Sequence, residues 1–204
     1  MCDLKEMLAR ATSFYGPSID FSQVRVTRSR VALGRRPWTA NNTIRLIEIG
    51  RPVVSGDESC GPEMAILIHE LAHVWQYQNG NLQLLRGLVE QVNYQLGRDP
   101  YNYGGAAGVR AAVAAGSALT RLSNESQAQV VEDYWSALHL AGSTGYGGEP
   151  FTPAYVDDLR VLVTGAGIGT RLPDGPNPLE TTAGWLVNRV AGWLEPVAGA
   201  FVKP

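Results

Sequence analysis

The run Ile66-Leu67-Ile68-His69-Glu70-Leu71-Ala72-His73-Val74-Trp75-Gln76 constrains this chain more than any other stretch. It reads as one buried helix, with apolar residues around two histidines four positions apart and a glutamate directly after the first. Four positions make about one helical turn, so His69 and His73 stack on one face with their roots about 5–6 Å apart. Both rings can then grip one tetrahedral cation at about 2.0–2.1 Å. Glu70 lies about 100° further round, where it can reach a water on that cation without competing for the ion. Ionisable groups in so apolar a run are costly to bury unless something pairs them. The competing reading is a pair of core histidines satisfied by backbone carbonyls. Of the three histidines in the chain, two stand in this motif. We take the metal reading.

A chain of 204 residues, 45% hydrophobic and 18% charged, has the size and composition of one globular domain with a substantial core. Seventeen basic against 19 acidic residues leave a net charge of −2, which argues against a nucleic-acid partner. The two cysteines, Cys2 and Cys60, form no Cys-x-x-Cys pair, so neither a disulfide scaffold nor a cysteine zinc site fits. A single Cys2–Cys60 bridge is open to them, but free thiols are the expectation. Cys60, just ahead of the motif, is also weighed as a neighbour of the metal. The opening Met-Cys-Asp-Leu-Lys-Glu lacks the build of a cleaved signal peptide. No stretch of about 20 residues is free of charge, so no membrane span is expected.

Along the chain, Asp3 and Glu6 resemble a capping box ahead of a helix that Gly16-Pro17 stops. Phe21 to Leu33 shifts to strand-like alternation, and after a Gly34-to-Pro37 turn Thr43 to Glu48 makes a second strand behind Asn41-Asn42. A small antiparallel sheet is the simplest pairing. Arg25, Arg28, Arg30, Arg35 and Arg36 read as a solvated face, with an acidic partner as the sharper alternative. Pro62 suits the first turn of the motif helix, which should end near Asn79-Gly80. Asn81 caps a further helix through Leu96, and an Ala/Gly-rich helix spans Ala106 to Leu122. Helices are expected from Asn124, from Thr152-Pro153 to about Gly165, and from about Thr181. Trp185, Leu186, Val190, Trp193 and Leu194 form a stripe on the last, expected to dock on the domain's own core. Gly165-Ala166-Gly167-Ile168-Gly169 fails the dinucleotide spacing and follows a helix, so it is set aside. The expected fold is α+β and mostly helical, with residues 1–141 as the main domain and 142–204 as a helical extension packed on it.

Two histidines leave a catalytic zinc one protein ligand short. Asn124-Glu125-Ser126-Gln127-Ala128 puts a glutamate at a helix start, with a small residue that lets the helix approach the motif helix. Glu125 is therefore the first candidate for third ligand. Glu132, about two turns on, is the alternative, either as ligand or as a carboxylate that holds a histidine ring, and Asp133 is weighed for that supporting part too. His139 is about 20 Å along the helix from Glu125, so the two cannot share an ion.

Three stretches, Trp38-Thr39-Ala40-Asn41-Asn42-Thr43-Ile44-Arg45-Leu46, the motif through Gln78, and Asn124 to Trp135, together resemble zincin-like domains of bacterial secretion-linked effectors and toxins. The His-Glu-x-x-His motif with a downstream Asn-Glu-x-x-Ala resembles the glutamate-ligand branch of the zincin metallopeptidases. The resemblance covers roughly residues 20 to 140. It implies Zn2+ held by His69, His73 and Glu125, Glu70 as general base, a protein or peptide substrate, and an association with secretion machinery or an immunity protein. It also implies export without a cleaved leader, failing which the protein stays in the cytoplasm. Tyr101 or Tyr103 could donate to the oxyanion, and the Thr43 to Ile47 strand could pair with an extended substrate. The rival reading is a zincin fold kept as a binding or assembly module with little turnover.

Overall fold

The computed structural model describes residues 2–29, 37–47, 60–81, 96–97 and 99–201. The expected helix after Asn81, the turn before Pro37, Arg30, Arg35 and Arg36 lie outside these, as do the side chains of Val190, Trp193 and Leu194. The described elements are helix α1 (Leu4–Tyr15), strands β1 (Arg25–Ser29), β2 (Trp38–Ala40) and β3 (Thr43–Ile47), and helices α2 (Gly61–Gln78), α3 (Gly105–Ala114), α4 (Asn124–His139), α5 (Pro153–Gly165) and α6 (Pro178–Phe201). The class is α+β and mostly helical, as expected.

Local chemistry sets most boundaries. Asp3 caps α1 by accepting from the Lys5 amide at 2.9 Å, while Glu6 turns to Arg10 at 2.7 Å instead of closing a capping box. Gly16 ends the helix at φ 51°, a conformation that favours glycine. Thr152 caps α5 by accepting from the Tyr155 amide, with proline in the first turn. The Ala/Gly-rich helix is shorter than expected: α3 stops at Ala114, and Gly116 turns the chain at φ 62°.

The sheet differs from expectation. Its order is β1-β3-β2, with β2 antiparallel to β3 through the Asn41-Asn42 turn, but β1 parallel to β3 from Arg25↔Thr43 to Ser29↔Ile47. β1 and β2 run in opposite directions with a gap between them, and β3 returns from the tight turn into that gap. This places β3 in the centre, with both edges paired, so it has no edge to offer a substrate. The segment Phe21–Gln23 is a 3-10 turn capped by Asp20 and not part of the strand.

The sheet is covered on both faces. Ile44 and Leu46 pack into the core, and Thr39 faces α2. On the other face lie Trp38, Ala40 and Arg45, with the Arg45 guanidinium 4.6 Å from the Trp38 ring centre. Helix α6 covers that face: Asn188 donates to the Ala40 carbonyl at 3.0 Å and accepts from Arg45 at 2.5 Å. The helix docks through buried Glu180 and Gly184, whereas Trp185 and Leu186 are more than half exposed, the reverse of what was expected of these two. Gly184 explains the orientation. A Cβ there would sit 1.7 Å from the Asn41 side-chain oxygen, so glycine permits this close approach.

Helix α2 is the centre of the fold and is buried without a break from Leu67 to Gln78. The sheet and α1 pack against it, α4 forms its most extensive helix contact, and α3 and α5 pack on one another and α5 on α4. Tyr15 of α1, fully buried, donates to the Ile68 carbonyl at 2.7 Å. The cysteines are not free thiols: Cys2 and Cys60 form a disulfide that ties the N-terminal segment to the residue preceding α2. Around it, Arg28 donates to the Cys2 carbonyl and to Glu63, both at 2.6 Å, and the Cys2 amide donates to Glu63 at 3.1 Å. These contacts, which a reading of two isolated cysteines has no means of seeing, hold the two segments in register. Arg28 thus anchors the fold from within. Among the described residues, no helix is long and apolar enough to cross a membrane.

Candidate metal centre

The two histidines project from consecutive turns of α2, ring centres 5.1 Å apart and near perpendicular. Across from them, the first turn of α4 delivers Glu125. Ala128, fully buried one turn on, has the small side chain that a close approach to α2 needs. One Glu125 oxygen lies 3.2 Å from His69 Nε2 and 3.4 Å from His73 Nε2. The donor atoms of His69, His73 and Glu125 lie within 4.8 Å of one another, close enough to hold a metal ion.

The other nitrogen of each ring is also occupied. His69 Nδ1 meets Glu132 at 3.0 Å, and His73 Nδ1 meets Gln76 Oε1 at 2.9 Å. Both partners accept, so each ring carries a proton on Nδ1, which leaves Nε2, facing Glu125, as the atom that would bind an ion. Two imidazole nitrogens and one carboxylate oxygen, with ring tautomers fixed from behind, suit a divalent transition metal that keeps a coordination position open.

The electrostatics fit a site built around positive charge. Burial works against the charged form of both histidines. For His69 the carboxylates of Glu125 and Glu132 overcome it and hold the pKa well above the usual value. His73 is raised as well, chiefly by Glu125. Glu125 moves the other way: burial would raise it, but His73 and His69 hold it well below the usual carboxylate range. Glu70, buried beside them, is raised by desolvation, which His73, His69 and Thr39 only partly oppose. Thr39 of β2 donates to Glu70 Oε2 at 2.6 Å and so orients this carboxylate from the sheet.

Of the remaining candidates, the fold brings Glu132 and Tyr101 to the centre, and Tyr101 lies with its ring 5.9 Å from that of His69. Glu132 lies on His69 Nδ1, behind the ring, whereas Glu125 lies beside both Nε2 atoms. Tyr103 and Asp133 do not join it. The Tyr103 hydroxyl donates to Asp133 and also meets Tyr155, and Asp133 further accepts from Gln129 at 3.0 Å and from the Tyr146 amide at 2.7 Å. Asp133 therefore anchors this tyrosine cluster and holds no histidine. Burial raises its pKa to about 7. His139 is exposed at the far end of α4 with its ring on Trp135. Cys60 is in the disulfide, nine residues before His69 or about 13 Å along the helix.

Three further residues of the site escaped the sequence reading: Thr39, Gln76 and Gln127. Gln76 and Gln127 are as buried as the core, at 0% and 1% exposure. The signal, for one of them, was positional. Gln76 follows His73 by three residues and so shares its helix face, whereas Gln127, two residues after Glu125, lies about 200° round the helix from it and carried no such signal.

No family model matches the sequence, and no solved structure matches it. Comparison with curated proteins finds similarity to the type VI secretion system spike protein VgrG2b of Pseudomonas aeruginosa, 29% identical over 135 residues. The match takes in 63% of this chain and 12% of that protein, so the chain corresponds to a small part of a much longer polypeptide.

Proposed function

We propose that this chain is a zinc-dependent endopeptidase of the zincin type, the peptidase portion of a bacterial effector linked to a secretion system. The observation that carries the reading is the convergence of His69, His73 and Glu125 from two helices, with Glu70 buried beside them and oriented by Thr39. His69, His73 and Glu125 would hold the ion. Zn2+ bound there would acidify a water and draw electron density from a substrate carbonyl. Glu70 takes the proton of the attacking water and passes it to the departing amine. Burial raises its pKa above the usual carboxylate value, in the direction that suits a group that must both accept and release a proton. Thr39 keeps Glu70 aimed, while Glu132 and Gln76 fix the histidine rings. Tyr101, beside His69, is the candidate donor to the oxyanion.

The similarity to a type VI spike protein supports the secretion link; a protein target outside the producing cell and a cognate immunity protein are part of the proposal. The same similarity favours one rival, a zincin fold that serves assembly with little turnover, because the relative is named as a spike protein. Purified protein should contain stoichiometric zinc and cleave an unstructured protein such as casein, and chelation should stop the cleavage. Glu70→Gln should keep the zinc and lose the cleavage. Cleavage that survives this substitution would refute the mechanism, and zinc without cleavage of any substrate would favour the assembly module.

A further inference from the structure

The proposed peptidase reading does not say why a glutamine should be fully buried behind the second histidine. Gln76 has three partners. Its Nε2 donates to the Asn124 carbonyl at 2.8 Å and to Gln127 Oε1 at 3.2 Å, and its Oε1 meets His73 Nδ1 at 2.9 Å. Gln127 is fixed in turn, because its Nε2 donates to the Leu122 carbonyl at 2.9 Å.

The two backbone carbonyls settle the direction of every bond in this chain of amides. A carbonyl can only accept, so Leu122 takes the Gln127 amide hydrogen and leaves Gln127 Oε1 as an acceptor. Gln76 then faces two acceptors, the Asn124 carbonyl and Gln127 Oε1, and spends both Nε2 hydrogens on them. Its Oε1 is thereby turned to His73, where it can only accept, and His73 must carry its proton on Nδ1. Nε2 is left facing Glu125, a carboxylate that also accepts, and is the atom an ion between them would take. Rotating the Gln76 amide by 180° would set its oxygen against two oxygens and its NH2 against an N–H in this buried site, at a cost of more than one unmet hydrogen bond. One side chain also sets two ligands. Asn124 is the residue before Glu125, so the Gln76 bond to its carbonyl fixes where the third ligand enters.

We propose that Gln76 is a positioning residue: through Gln127 and the Leu122 carbonyl it enforces the Nδ1–H tautomer of His73 and registers the start of α4 against α2. This rests on the metal-site reading for its purpose, but its first readout needs no metal. In chelator-treated protein at a pH alkaline enough to hold His73 neutral, a long-range 1H–15N spectrum should show the Nδ1–H form for wild type. Glu125 competes for that proton at Nε2, so Gln76→Leu should lose the Nδ1–H signal and leave the Nε2–H form, and Gln127→Leu should give a mixture. Zinc affinity, measured by competition with a chromophoric chelator, should fall about 10–100-fold for Gln76→Leu, as for other groups that orient a ligand from behind. The control is Gln78→Leu, which removes an equally buried amide on the same helix whose partners are Asp20 and Asn42. It should leave both tautomer and affinity unchanged. A Gln76→Leu protein that keeps wild-type tautomer, or a Gln78→Leu protein that loses as much affinity, overturns the proposal. Wild type that shows the Nδ1–H form yet binds no zinc would leave Gln76 in its part and remove the metal reading instead.

Discussion

Breaking the Cys2–Cys60 disulfide tests the physical account of the fold most directly. The bridge closes a loop over a sequence separation of 58 that contains α1 and the whole three-stranded sheet. In the chain-entropy treatment, a loop of this length restricts the unfolded ensemble by about 14 cal/mol/K, or about 4 kcal/mol at 25 °C. For a chain of this size each kcal/mol moves the Tm by roughly 2–4 °C, so reduction should lower it by about 8–16 °C. Thermal unfolding followed by circular dichroism, with and without a phosphine reductant, gives the number, and Cys2→Ser with Cys60→Ser gives it again without reagent. The native contacts should persist, since Arg28 still holds Glu63 and the Cys2 carbonyl without the sulfur bond. Zinc content of the folded reduced protein should therefore match that of the oxidised form. A Tm that moves by less than about 2 °C would mean that the unfolded chain is already compact in this region, and the loop-entropy argument would fail.

Other outcomes follow from the site. Glu125→Ala should abolish stoichiometric zinc, whereas Glu132→Ala should keep it with affinity weakened about 10–100-fold, as equilibrium dialysis can show. Thr39→Val removes a hydrogen bond that favours the ionised form of Glu70, so the acid limb of the pH–activity profile should move to higher pH. The raised histidines stabilise the metal-free protein below their unfolded pKa of about 6.5, and that contribution fades as pH rises through their folded values. The Glu125 contribution has the opposite sense: it is present above about pH 4.3 and lost as pH falls toward its depressed value. Urea unfolding with chelator should show both contributions together between those limits, while zinc affinity should keep climbing past neutral pH as protons stop competing for the rings. Gly184→Leu should cost on the order of 1–3 kcal/mol, in a thermal or urea unfolding measurement, by forcing either α6 or the Asn41 side chain out of place.

How much of this could be read from residue order depends on the range of the interaction. The i, i+4 spacing of His69 and His73 and the helix start at Asn124 are local, and both the motif helix and the approach of Glu125 followed from them. Glu132 already suggested itself as a ring-holding carboxylate, since two helical turns repeat nearly the same face. The parallel pairing of β1 with β3 was not available, because short alternating segments carry no record of which neighbour they choose. Partnership of Cys2 with Cys60 is likewise a tertiary fact, fixed by Arg28 and Glu63 on elements far apart in the chain. Trp185 and Leu186 misled for a similar reason: helical periodicity marked them as the docking face, but the absence of a side chain at Gly184 outweighed their apolar area. Tyr103 and Tyr101 look alike in sequence, and only the Asp133 carboxylate behind the loop separates the anchored one from the one beside His69.

The last helix lies nearer to the chemistry than its place in the chain suggests. Asn188 holds the Ala40 carbonyl, and the neighbouring residue, Thr39, holds Glu70. A polypeptide shortened ahead of Pro178 would uncover Trp38 and Arg45 and free the short strand from which Thr39 reaches the acid. Loosened in this way, the protein would keep His69, His73 and Glu125 together, yet leave Glu70, the proposed proton carrier, with a wandering aim: a built centre with a slack trigger.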